Sequence, residues 1–262
     1  MSIHPSSVIG PHVKLEEGVE VGPFCIIQGD VTIGAGTKLI SNVVIGDQRT
    51  HVVIGKNNKF HPGAVVGGIP QDLTYKDEKT KLTIGDNNAI REFVTINTGT
   101  VKGHGETRVG SNCLLMAYVH IAHDCRIGDH VVIANSCQLA GHVTMEDHVK
   151  VGGSSLFNQF VVLGKHSYIA GDSDVNKDIL PFCIAQGKYA VVRVANEIGM
   201  DRAGYDKNEI ENLRRAIRIL TKSKLVLEEA IVRIQKDCEP VSSVKYLLDF
   251  INSKERERGL AL

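Results

Sequence analysis

The sequence predicts a parallel β-helix followed by a helical segment, and three observations carry that expectation. Apolar residues recur at every sixth place over most of the chain, two excursions interrupt the period, and after Val175 the pattern gives way to helical spacing. Residues 1–188 are accordingly assigned to the β-helix, with projecting loops at 67–83 and 97–108, and residues 189–262 to a C-terminal α-helical domain.

The longest unbroken run is Val109, Leu115, Ile121, Ile127, Ile133, Leu139, Met145, Val151, Phe157, Leu163, Ile169 and Val175. An earlier block runs from Ile3 through Ile9, Leu15, Val21, Ile27, Ile33 and Leu39 to Ile45. It resumes at Ile54, Phe60 and Val66, and again at Ile84, Ile90 and Ile96. Four places after most anchors stands a small or β-branched residue, such as Val19, Val31, Val119 or Val131. A six-residue period fits neither a helix of 3.6 residues per turn nor plain alternation along one strand. It is a repeat signature of the parallel β-helix, in which each hexad supplies one short strand and a corner. Each coil buries its inner face only against its neighbours, so stability grows coil by coil. With three hexads per coil, the chain makes about eight to nine coils and a prism ~40 Å long.

The first excursion, Gly67 to Thr83, is long and polar with Gly and Pro, the profile of a functional loop. The second covers Asn97 to Arg108. Beyond Val175, Asp206 and Glu209 form a capping-box pattern that opens a helix over Lys207–Lys222. Further helices are expected over Leu225–Lys236 and from Pro240 to Ser253. Arg214, Arg218 and Lys222 follow one another at helical spacing and line one face, either a solvated surface or a dock for an acidic partner.

The chain has 262 residues with 30 basic and 30 acidic side chains, a balance that argues against nucleic-acid or anionic-membrane binding. No apolar run approaches the ~20 residues of a membrane helix, and the N-terminus has no signal-peptide pattern. A cytoplasmic protein is expected. Cys25, Cys113, Cys125 and Cys137 all fall at the small place of a hexad and read as core residues rather than as disulfide or metal ligands.

Chemistry is sought in the polar residues embedded in the ladder. His4, His12, His51 and His61 show no partner in the sequence, and His130, His148 and His166 read as exposed strand or corner residues. His120, His123 and His142 differ. In an 18-residue coil, position 123 stacks against position 141, which brings the Gly141 backbone over His123. An imidazole near a glycine N–H and other imidazoles is a plausible base-plus-donor site. Asp124 can support His123 only if the pair sits at a corner, because neighbours in a strand point to opposite faces. No Ser or Cys is placed as a nucleophile, which favours direct attack.

His120-Ile121-Ala122-His123-Asp124-Cys125, Leu139-Ala140-Gly141-His142-Val143, Gln159-Phe160 and Ala185-Gln186-Gly187 resemble motifs of the UDP-N-acetylglucosamine 3-O-acyltransferases of lipid A synthesis. Pro70-Gln71-Asp72-Leu73 and Ile90-Arg91-Glu92 match as well. The resemblance spans essentially the whole chain. It implies a left-handed coil, a homotrimer with sites between subunits, and no cofactor or metal. It further implies that His123 deprotonates the sugar 3-hydroxyl, which attacks the thioester of an acyl chain on acyl carrier protein. Gly141 would stabilise the oxyanion and Asp124 would support the base. Gln71, Asp72, His120, His142, Asn158 and Gln159 would line the sugar site, Asn196 and Arg202 would reach the nucleotide, and Gly171 would end the acyl groove. The face of Arg214, Arg218 and Lys222 would meet the acidic carrier.

The chain departs from the family pattern at Asn158, where His is usual, at Thr74, where Lys is typical, and at Ala203, where a second Arg is common. Asp172 and Asp174 add charge near the acyl groove. These leave a diverged acyltransferase, with another donor or an amino-sugar acceptor, as an alternative. From a different class, a γ-carbonic-anhydrase-like enzyme would bind zinc through three histidines.

Overall fold

The computed structural model, which describes residues 1–253 and 257–262, folds the hexads into three parallel sheets wrapped around a prism. Among the described residues these sheets have 11, 9 and 8 strands. From Ser2–Ile3 to Leu156–Phe157 each strand pairs with the third one after it in sequence, so three strands complete one coil of a left-handed parallel β-helix. In the long run the register is the expected one: Leu115 stands beside Ile133, Ile133 beside Val151, and Ile121 beside Leu139. The anchors form three interior columns, with Ile27, Ile45, Phe60, Ile84, Ile90, Leu115 and Ile133 fully buried. Burial of each such side chain contributes about 1.5–3 kcal/mol.

The corners turn through residues at positive φ, among them Asp124 (60°), His130 (57°), His142 (64°) and Phe160 (66°). That region is costly for a non-glycine residue and must be held by its surroundings. The N–H of His142 donates to the His123 carbonyl at 3.0 Å and that of Phe160 to Gly141 at 3.3 Å, tying each corner to the one before it. The small places serve the same end. Thiols of Cys113, Cys125 and Cys137 donate to carbonyls of the next coil at 3.2–3.3 Å, as the hydroxyl of Thr37 does to Gly55 at 3.1 Å. All six cysteines are free and buried.

Both excursions replace the same corner. Strand Val65–Gly68 lies in the nine-stranded sheet and Thr80–Ile84 in the eight-stranded sheet. Likewise Thr95–Asn97 lies in the first of these and Glu106–Val109 in the second. The next coil carries His123 and Asp124 at that corner, between strands His120–Ile121 and Arg126–Ile127. The two loops therefore project from the coils immediately preceding the histidine corner.

The C-terminal part departs from a simple change to helix. An antiparallel hairpin, Cys183–Gly187 with Ala190–Ala195, extends the 11-stranded sheet first, and residue 188 falls inside it. Helices α1 (Glu197–Arg202), α2 (Lys207–Lys222), α3 (Leu227–Asp237) and α4 (Ser242–Asn252) follow. The sequence did not reveal the short α1, and α4 begins after Val241 rather than at Pro240. Asp206 caps α2 by accepting the Glu209 N–H at 2.8 Å. The Glu209 carboxylate does not close the expected box. It accepts the Ser243 N–H of α4 at 2.8 Å instead, fastening α2 to α4.

Candidate active site

His123 and Asp124 form the turn between two strands, so adjacent side chains converge, as a corner permits. His123 Nδ1 lies 2.9 Å from Asp124 Oδ2, and both side chains are almost wholly buried. The Asp124 carboxylate is the hub of the 97–108 excursion. It accepts the Thr100 hydroxyl at 2.7 Å, the Thr100 N–H at 3.1 Å and the His104 N–H at 2.8 Å. Burial alone would raise its pKa; the bonds from His123, Thr100 and His104 outweigh that and hold it at about 2. An ionised carboxylate can only accept. His123 therefore carries its proton on Nδ1, leaving the Nε2 lone pair free to act as a base.

Gly141 meets that ring from the next coil, as the 18-residue spacing predicts. A Cβ on Gly141 would come within 2.5 Å of His123 Cε1 and 2.8 Å of Nε2, so only glycine admits the ring. Among the described residues no acceptor takes the Gly141 N–H, which leaves it available to a ligand oxygen. His142, one place on, sets its ring edge-on to His123 at 5.2 Å between centroids and stacks on Phe160 at 4.4 Å. Its pKa is lowered, by burial first and by His123 and His104 in addition. His120 is lowered as well, by burial and then by His123, and its Nδ1 lies 2.8 Å from the Thr95 hydroxyl.

The 67–83 loop brings Asp72 toward the same corner. The N–H and hydroxyl of Thr74 donate to Asp72 Oδ1 at 2.8 and 2.9 Å and lower its pKa, with smaller contributions from His123 and Lys102. Thr74, a departure from the family pattern, thus orders the loop locally. Gln71 is exposed beside it. Asn158 and Gln159 are exposed two coils above His123, and the Gln159 carbonyl accepts from Arg258 Nε at 3.0 Å. Gly171 packs on Gly153, its Cβ position 3.3 Å from the Gly153 carbonyl, at the opposite edge of the nine-stranded sheet. Neighbouring Asp172 is paired with Lys188 at 2.8 Å.

Asn196 and Arg202 lie elsewhere on the chain. With His148, His166, Lys150 and Tyr205 they line a cavity of about 660 Å3 at the corner between the eight- and 11-stranded sheets, away from His123. Asn196 caps α1 and donates to the His166 carbonyl at 2.9 Å. Arg214, Arg218 and Lys222 border a separate groove of about 390 Å3 with Arg193 and Ile217, and Arg214 is paired with Glu211.

Among the other histidines, His51 and His61 have partners that the sequence did not show, whereas His130 and His148 are exposed corner residues as read and His166 is a half-buried one. His51 pairs with Asp30 at 2.9 Å and His61 with Glu92 at 3.2 Å. His130, His148 and His166 stack face to face in a column at 4.8 and 4.5 Å. Sequence reasoning passed over His104 and Thr100. His104 sets its ring against His142 at 6.2 Å, and with Lys102, Phe160 and Glu257 it lines a cavity of about 300 Å3. Only folding of the excursion onto Asp124 reveals them; Gly103, whose Cβ would strike Asp124 at 2.5 Å, is the one local sign.

His123, Asp124 and His142 bring potential metal-ligand atoms within 4.8 Å of one another. The Asp124 oxygens are already committed to Thr100, His104 and His123, and His123 Nδ1 to Asp124. That hydrogen bonding describes a carboxylate-supported base better than a set of free ligands.

Comparison with known proteins identifies the family. The family described as Udp N-acetylglucosamine O-acyltransferase, domain 2, matches residues 178–261, and bacterial transferase hexapeptide repeats match 106–141. The acyl-[acyl-carrier-protein]–UDP-N-acetylglucosamine O-acyltransferase of Myxococcus xanthus is 46% identical over 254 residues, 97% of each chain. That of Thermodesulfovibrio yellowstonii is 41% identical over the same share. The crystal structure of the UDP-N-acetylglucosamine O-acyltransferase of Moraxella catarrhalis superposes with a TM-score of 0.94 at 39% identity, over 100% of both chains. A full-length relative at this identity shows the family directly, and the chain belongs to the UDP-N-acetylglucosamine O-acyltransferases.

Proposed function

We propose that this acyltransferase moves a 3-hydroxyacyl chain from acyl carrier protein to the 3-hydroxyl of UDP-N-acetylglucosamine, the opening reaction of lipid A synthesis. The observation that carries the reading is the His123–Gly141 contact between adjacent coils. His123 Nε2 removes the proton of the sugar hydroxyl, and the resulting alkoxide attacks the thioester carbonyl. Negative charge then develops on the carbonyl oxygen beside the unoccupied Gly141 N–H, where a preorganised donor is worth several kcal/mol in typical enzymes. Collapse of the tetrahedral intermediate expels the thiolate, and the imidazolium returns its proton to that sulfur. His120, His142, Asp72, Gln71 and Gln159 surround the sugar, with Asn158 on the rim, and Gly171 bounds the acyl groove.

The working form is a homotrimer in which one copy supplies His123 and another supplies Asn196 and Arg202. Two features support this. The nucleotide residues occupy a different corner from the base in a single chain. The outer face of the nine-stranded sheet also exposes Val8, Ile26, Val65 and Leu156, flanked by Phe24, Phe93 and Tyr118, an apolar face of the kind that marks an interface. The acidic carrier docks on the groove of Arg218 and Lys222. The compartment is the cytoplasm, in keeping with six cysteines carried as thiols. Among the described residues no helix is long and apolar enough to cross a membrane.

His123→Ala tests the assignment. With UDP-N-acetylglucosamine and acylated carrier protein, its turnover should fall below detection by product mass while the trimer persists in solution. Turnover like that of the parent protein would refute the role. A panel including the 3-amino sugar would separate the O-acyltransferase from the amino-sugar alternative.

A further inference from the structure

The 97–108 excursion is attached to the site through one side chain. Asp124 Oδ2 receives both the His123 Nδ1–H at 2.9 Å and the Thr100 hydroxyl at 2.7 Å, while the Thr100 N–H lies 3.1 Å from each oxygen. Thr100 itself is 4% exposed and Asp124 1%. The segment is pressed close, since a Cβ on Gly103 would meet Asp124 and His142 at 2.5 and 2.6 Å. The Asp124 N–H donates to the Thr107 hydroxyl at 2.8 Å, so the loop grips that residue from both its ends.

We infer that Thr100 is a positioning residue for acyl transfer, its hydroxyl and N–H fixing the Asp124 carboxylate so that His123 keeps its proton on Nδ1 and presents Nε2 to the acceptor. This rests on the proposed role of His123. Thr100 also moderates the carboxylate. The Thr100 O–H and the imidazole N–H share one oxygen, and a shared acceptor gives each donor less of its negative potential. Without the hydroxyl, Oδ2 favours the imidazolium more strongly, and the base stays protonated to higher pH. Among the described residues, other charged or titratable groups that face His123 include His120, His142 and Asp72, with Lys102 beyond Asp72.

The test is a comparison of Thr100→Val and Thr100→Ser in the full-length protein, with pH profiles of kcat/KM for the sugar. In Thr100→Val the acid limb should move upward by about 0.5–1 pH unit, the scale of one hydrogen bond. The kcat should fall about tenfold with KM for the sugar little changed. Thr100→Ser should restore both the limb and the rate. An unmoved limb, a loss of rate that merely follows a loss of folded protein in thermal unfolding, or a Ser variant no better than Val would each overturn the inference. His123→Ala is assayed in parallel. Activity surviving there defeats the reading of the base, whatever Thr100 does.

Discussion

The Gly141 backbone lies against the edge of the His123 imidazole from the neighbouring coil, with its hypothetical Cβ 2.5 Å from Cε1. No positive φ is required at Gly141, so Ala there meets no backbone strain. Its whole cost is the collision with the ring. Gly141→Ala should therefore fold, with Tm lowered by only a few degrees, on the scale of about 1 kcal/mol in a chain of this size. Displacing the proposed base and crowding the proposed oxyanion donor should lower kcat by about 10²–10³. Steady-state kinetics alongside thermal unfolding check both halves, and an Ala variant with full turnover would remove Gly141 from the site.

The proposed role of Asp124 predicts effects on both catalysis and stability. Asp124→Asn can still accept from Thr100, but an amide NH₂ turned toward His123 Nδ1 would favour the wrong tautomer. Turnover should drop about 10³-fold or more. Its carboxyl is held at about 2 in the fold against an ordinary 3.8. A depressed carboxyl stabilises the fold fully above the unfolded value, and that stability disappears as pH falls toward the folded value. The contribution is about 2 kcal/mol. Urea midpoints should show the Asn variant weaker than its parent above about pH 4, with the gap closing below.

The parts of this molecule that repeat could be read from sequence, because the period specifies both burial and stacking. Ile121 over Leu139, and with it Gly141 over His123, follows from the 18-residue coil. Asp206 marked the start of α2 because a cap is a local device. The hairpin Cys183–Ala195 was not visible, since Leu180-Pro181 breaks the hexad and an antiparallel return has no such signature. Thr100 and His104 were hidden for a related reason. Their bond to Asp124 joins residues 24 and 20 positions apart through an aperiodic loop. Asn196 and Arg202 could be expected as ligand groups, but their location at a second corner follows from where the hairpin and α1 are laid down.

The stacked histidines should make the protein acid-sensitive. His166 has its pKa lowered to about 4, by burial first and then by His148 and Lys165. It lies under the ring of Phe182 at 5.7 Å and edge-on to Tyr205 at 5.4 Å. A histidine kept neutral in the fold takes up its proton on unfolding, so stability is complete above about pH 6.5 and declines as pH falls toward the folded value. His166→Phe extends the aromatic stack and removes the proton site. The decline in urea midpoint between about pH 6.5 and 4 should be shallower in that variant. An unchanged slope would show that His166 takes no part in the acid response.

The basic face on α2 is not uniform, and under the proposed docking mode that unevenness predicts which residues meet the carrier protein. Arg214 is already engaged by Glu211, three residues earlier, so removing its charge also frees an acid. Among the described residues Arg218 and Lys222 form no ion pair, and both border the groove with Arg193 and Ile217. An acidic carrier gains most from cations that have no partner to give up, and exposed charges act mainly on encounter. Arg218→Glu and Lys222→Glu should therefore raise KM for the acylated carrier by about tenfold at low salt, with kcat and KM for the sugar nearly unchanged. Arg214→Glu should act on carrier binding too, since it places two acids at that end of the groove, and Arg214→Ala, which frees Glu211 alone, should act in the same direction but less. Because the Debye length shortens to about 3 Å near 1 M salt, the differences between variants should converge as salt is raised. A KM for the carrier that ignores both substitutions and salt would place the docking surface elsewhere on the protein.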